Sequence, residues 1–79
     1  MQVHVLLFAN LKQRAGRGEL SLELSEPATV RTAADALTRQ LGAVDLKGVM
    51  CAVNERYADP SASLSEGDTV AFLPPVSGG

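Results

Sequence analysis

The sequence is poor in the residues that build most active sites. It has one cysteine, one histidine, no tryptophan, one tyrosine and two phenylalanines. The single Cys51 excludes an internal disulfide and a cysteine-based zinc cage, and it fits a reducing compartment. Asp35, Asp45 and Asp59 are scattered, so no metal-ligand spacing arises and no metal is expected. Tyr57 and Phe72 are too few for a platform that stacks single-stranded bases. An excess of positive charge is missing too. The net charge is −2 and the pI about 5.2, whereas a nucleic-acid binder normally shows a basic face. Lys12, Arg14 and Arg17 cluster, but Glu19, Glu23 and Glu26 follow closely, which reads as a mixed solvated surface. No apolar run approaches the roughly 20 residues of a membrane span, and the opening MQVHVLLFAN lacks the basic start of a signal peptide. The glycines include no phosphate-cradling loop, since GRG lacks the strand-to-helix setting and the Lys-Ser/Thr that follows it. A soluble cytoplasmic protein without nucleic-acid or membrane partners is expected.

What is present is periodicity. The chain is 46% hydrophobic and 20% charged, the balance of a globular domain, and 79 residues leave room for one core only. Val3, Val5 and Leu7 alternate with Gln2, His4 and Leu6, as a strand does. NLKQRAG gives a short helical turn with Asn10 as its cap and Gly16 as its end. ELSLEL is a second strand with Leu20, Leu22 and Leu24 on one face. TVRTAADALTRQLG carries Val30, Ala34, Leu37 and Leu41 at helical spacing, with Thr29 as N-cap and Gly42 at the far end. GVMCAVN reads as a mostly buried strand. ERYA reads as a short strand, DPSASLSEGD as loop and turn, and TVAFL as the last strand before Pro74.

One helix packed across one face of a mixed sheet is an α+β arrangement of two layers. The element order resembles that of the β-grasp, or ubiquitin-like, roll, in which the first and last strands lie side by side and parallel in the middle of the sheet. Strand parity then has a consequence. If Val3, Val5, Leu7, Val70 and Phe72 face the helix, Leu6, Phe8, Ala71 and Leu73 gather on the uncovered face. A contiguous apolar patch on a small domain marks a partner site. A slip of one residue would exchange the two sets.

The chain divides into a domain of residues 1–73 and an extended tail, Pro74, Pro75, Val76, Ser77, Gly78 and Gly79. The two prolines fix φ and keep the chain extended as it leaves the sheet. Nearly extended, residues 74–79 reach roughly 18–20 Å. Gly78 and Gly79 lack a Cβ, so they fit a channel too narrow for other residues and leave a terminal carboxylate open. A carboxylate is a poor electrophile, but adenylation by ATP makes it a mixed anhydride. A sulfide equivalent then displaces AMP and leaves a thiocarboxylate, a strong sulfur nucleophile. No catalytic side chain within this protein is needed. His4 has no serine, cysteine or paired carboxylate placed to work with it and reads as surface, while Cys51 reads as a small buried core residue rather than a sulfur relay.

VLLFANLKQRAG, the AVN after the main helix and, above all, LSEGDTVAFLPPVSGG resemble the small, sulfur-carrier subunit of molybdopterin synthase over the whole chain. The joined turn, strand, double proline and Gly-Gly are far more specific than Gly-Gly alone. The resemblance implies that Gly79 is adenylated by a ubiquitin-activating-like adenylyltransferase, which uses the ATP, and is then thiolated by a sulfur donor system. It implies that Pro74, Pro75, Val76, Ser77 and Gly78 thread the large subunit of a heterotetrameric synthase. There Gly79 would give sulfur to a cyclic pyranopterin phosphate, and two transfers would build the dithiolene. Phe8 and Leu73 match apolar positions that face the large subunit, although position 73 is often Phe in relatives. No cofactor is bound and no activity of the isolated chain is implied. Sulfur delivery to thiamine, tRNA or cysteine, conjugation to protein lysines as a ubiquitin-like modifier, and a plain interaction module with an idle tail remain as alternatives.

Overall fold

The computed structural model describes residues 1–42, 46 and 48–74. Alternation along β1 (Gln2–Leu7) buries Val3, Val5 and Leu7 on one face. The chain then turns at once into α1 (Ala9–Ala15). Asn10 is not its cap. Phe8 takes the N-cap position in an extended conformation with no side-chain cap, and its carbonyl accepts from the Leu11 and Lys12 N–H groups at 3.1 and 3.4 Å. Starting the helix at Ala9 carries Leu11 into the core, where it is buried. Gly16 ends the helix at φ 76°, its N–H donating to the Lys12 carbonyl at 3.0 Å. This left-handed position is one that a side chain would strain.

The second strand, β2 (Glu19–Glu23), runs antiparallel to β1 and buries Leu20 and Leu22, with Leu24 buried just beyond it. A two-residue strand, β3 (Ala28–Thr29), leads into the main helix, α2 (Val30–Leu41). Thr29 caps α2 as its position suggests. Thr32 N–H donates to Thr29 Oγ1 at 3.3 Å and Thr29 N–H donates to Thr32 Oγ1 at 3.1 Å, a reciprocal capping box. The buried stripe is Val30, Ala33 and Leu37, with Ala34 and Leu41 only half-buried at its margin. Val30 and Leu37 are buried as the sequence pattern has them, while Ala33 takes the place expected of Ala34, because both are small and apolar.

After α2 come β4 (Met50–Val53), β5 (Arg56–Ala58), β6 (Ser63–Leu64) and β7 (Thr69–Leu73). The main sheet has the order β2-β1-β7-β4-β5, with β1 and β7 parallel at its centre. The short β6, expected as loop, pairs with β3 in a separate ribbon and buries Leu64. Two residues are too few to show a period in the sequence. Among the described residues only one face of the sheet is covered, and the core between it and the helices includes Phe72, Leu37, Val5 and Val70, all fully buried. Each such side chain contributes roughly 1.5–3 kcal/mol through burial. The result is a β-grasp roll.

Candidate functional site

The functional reading concerns the uncovered face of the sheet and the strand that leaves it. On β7, Val70 and Phe72 are buried while Ala71 and Leu73 point the other way and are half-buried. The parallel register sets Leu6 beside Ala71, so the two central strands share their outer residues. Phe8 lies just past β1 and is 44% exposed. Leu6, Phe8, Ala71 and Leu73 thus share one surface, and all four line an open concavity of about 340 Å³. Pro74 follows Leu73 as a half-buried residue outside the strand. Pro75, Val76, Ser77, Gly78 and Gly79 lie outside the described residues.

The patch is wider than the sequence indicated, and β4 is the reason. It is not mostly buried: Met50 is 52% exposed, and Cys51, Ala52 and Val53 are half-buried. With one face open to solvent, the strand alternates although its residues are all apolar. Cys51 and Val53 pair with Phe72 and Val70 and turn inward, while Met50 and Ala52 pair with Leu73 and Ala71 and turn outward. Tyr57, opposite Ala52 on β5, is the most exposed of the described large apolar side chains. Met50, Ala52 and Tyr57 therefore belong to the outer face. The register is the signal that finds them, because an unbroken apolar run conceals its own parity.

The AVN and EGD segments meet at the start of β7. Asn54 Nδ2 donates to Asp68 Oδ1 at 3.0 Å, and the Thr69 N–H donates to Asn54 Oδ1 at 3.0 Å. The Asn54 N–H donates to the Thr69 carbonyl at 2.8 Å, and Asp68 Oδ2 accepts from the Ser65 N–H at 2.8 Å. The SEGD turn is tied in turn to β1, through the Gly67 N–H on the Gln2 carbonyl and the His4 N–H on the Asp68 carbonyl. One end of β7 is thus clasped by polar side chains. The other end runs into Pro74, which offers no N–H to a further ladder.

The remaining candidates stay modest. His4 does have a carboxylate near it, since Glu19 Oε2 lies 3.5 Å from Nε2 across β1 and β2, but both side chains are open to solvent. Cys51 is half-buried rather than a full core residue, because β4 lies toward the sheet's edge. Burial pushes its thiol above the ordinary value, which leaves little thiolate at neutral pH. Among the described residues no group of three or more His, Cys, Asp or Glu could hold a metal, and Asp45 is not among them. No described helix is long and apolar enough to cross a membrane.

Fold and surface together define a ubiquitin-like protein whose apolar outer sheet face is open among the described residues and whose last strand stops at Pro74. The chain belongs to the ThiS family of β-grasp sulfur carriers, whose family model matches residues 5–79. It is similar to the molybdopterin synthase sulfur carrier subunit of Chlamydomonas reinhardtii, 35% identical over 83 residues with all of both chains covered. The corresponding subunit of Arabidopsis thaliana is 31% identical over 81 residues, covering all of this chain and 84% of that one. Among solved structures, SAMP1 of Haloferax volcanii, a small archaeal modifier protein, superposes with a TM-score of 0.91 at 28% identity over the full length of both chains.

Proposed function

We propose that this chain is the sulfur-carrying subunit of a molybdopterin synthase and works in a cytoplasmic complex rather than as an enzyme alone. Gly79 is the reacting residue. A ubiquitin-activating-like partner transfers AMP from ATP to its carboxylate and releases pyrophosphate. A sulfide equivalent from a donor system displaces AMP and leaves the thiocarboxylate. Pro74, Pro75, Val76, Ser77 and Gly78 carry that group into the large subunit, where it serves as the sulfur nucleophile toward a cyclic pyranopterin phosphate. Leu6, Phe8, Ala71 and Leu73 seat the domain on the large subunit.

The observation that carries this reading is the outer apolar face lying directly upstream of Pro74, on the strand that precedes PPVSGG in the sequence. Full-length similarity to subunits bearing that name supports it. The test is reconstitution of dithiolene formation from purified large subunit and thiolated chain. The account expects product with the intact chain and none when Gly79 is deleted, with unchanged melting. Product from the deleted form would refute it.

A second reading is favoured by the fit to SAMP1, namely conjugation of the same activated carboxyl to protein lysines. It predicts isopeptide-linked remnants of the Gly78–Gly79 end on other proteins. The carrier reading predicts that a strain lacking this chain is rescued by molybdenum-cofactor precursors downstream of the dithiolene step.

A further inference from the structure

The two-residue turn between β4 and β5 is Asn54-Glu55, and both residues adopt positive φ, 50° and 71°. Such hairpin turns require left-handed backbone at both positions, and glycine is the usual second residue. Asn54 accounts for itself through the clasp on Asp68 and Thr69. Glu55 does not. A Cβ in this conformation costs about 1–2 kcal/mol, and among the described residues no hydrogen bond or ion pair holds its carboxylate. What Glu55 does have is a place. It lines the outer-face concavity with Leu6, Phe8, Ala52, Tyr57, Thr69, Ala71 and Leu73, and it is the one charged residue among them.

The charges on the neighbouring strand are matched nearby. Glu23 pairs with the Met1 ammonium at 3.3 Å, and Glu19 lies in the hollow beyond Phe8 together with Lys12. Neither lines the concavity, which leaves Glu55 as its charge. A segment seated in the concavity therefore meets an apolar floor and a fixed negative charge at its rim. We infer that Glu55 is a specificity-determining residue of this docking surface, selecting a partner segment that sets a lysine or arginine beside the apolar side chain it buries. This rests on the reading of the outer face as the seat of the synthase's large subunit. It adds what that surface selects for. Charge at the rim of an apolar seat governs choice of partner and encounter rate more than it governs total affinity.

The test separates the turn from the charge. Purified large subunit of molybdopterin synthase is titrated with the wild-type chain, Glu55→Gly, Glu55→Lys and Leu73→Glu, at low and physiological salt, and each variant's melting is recorded. Glu55→Gly relieves the left-handed strain, so it should melt at or above the wild-type temperature. It should nonetheless bind roughly tenfold more weakly at low salt and lose most of the wild type's salt dependence. Glu55→Lys should bind more weakly still. Glu55→Gly binding like wild type with unchanged salt dependence would overturn the inference and leave Glu55 a tolerated turn residue. Leu73→Glu binding like wild type would overturn the outer-face reading itself. Failure of the wild-type chain to bind the large subunit at all would overturn both.

Discussion

The two faces of the central strands differ in what their residues are held to do. On β7, Val70 and Phe72 are completely buried, and their neighbours in sequence, Ala71 and Leu73, sit half-open on the other side. All four are apolar, so composition does not tell them apart. The inner pair is constrained by α2 and by packing near solid density, where any change of volume is felt. The outer pair is only half-covered and lines an open concavity. A side chain that stays apolar where folding leaves it uncovered answers to something outside the fold.

This contrast fixes where substitutions should act. The largest effect is expected from Phe72→Ala, which opens a cavity under α2 and should cost about 3–5 kcal/mol. A domain of this size has roughly 4–12 kcal/mol in total, so urea titration should show a variant that has lost a quarter or more of its stability, with a much lower midpoint. Phe8→Glu and Leu73→Glu should leave the unfolding curve within about 0.5 kcal/mol of wild type. Their effect should fall on binding to the large subunit, weakened by about 2 kcal/mol or more, roughly thirtyfold. A large fall in melting temperature for either would mean that the two faces had been assigned the wrong way round. Asn54→Ala removes both side-chain bonds of the clasp and should cost about 1 kcal/mol, with faster amide exchange at the start of β7 as its local signature.

The smallest effect concerns pH. The Asp59 carboxyl is held below its ordinary value by hydrogen bonds from the Ser61 hydroxyl and N–H. A depressed carboxyl stabilises the fold above its unfolded pKa, and that contribution is lost as pH falls through the folded pKa. Ser61→Ala should therefore lower stability slightly at neutral pH, with the deficit vanishing in acid, so that the acid limb of the stability profile is a little shallower. An acid limb identical to wild type would show that the pair contributes nothing.

How much of this was legible in the sequence depended on whether a segment showed a period. Strand β2 alternates openly and β1 does so over Gln2–Val5, whereas Val70–Leu73 are apolar throughout, so the outer placing of Leu6, Phe8, Ala71 and Leu73 was a conditional parity that the burial pattern decides. Thr29 and Gly42 bracket α2 because caps and helix ends need particular residue types. The wider patch was not legible. MCAV is apolar throughout, so the outward turn of Met50 and Ala52 emerges only from pairing with β7. Nor was the clasp, since Asn54 and Asp68 are distant in sequence and meet through the fold. Phe8 as the start of α1 was hidden behind Asn10, the better cap by residue type. The tail was legible as chemistry alone, in two prolines and two glycines, and its role rests on that chemistry and on the family.

The central claim is that Gly79 carries sulfur, and the most direct measurement is the intact mass of untagged chain after incubation with ATP, the adenylyltransferase and a sulfur donor. The account predicts a shift equal to one oxygen replaced by one sulfur, localised by fragmentation to Gly79 and absent when ATP is omitted. An unchanged mass with an activating partner that thiolates a known carrier in parallel would contradict it.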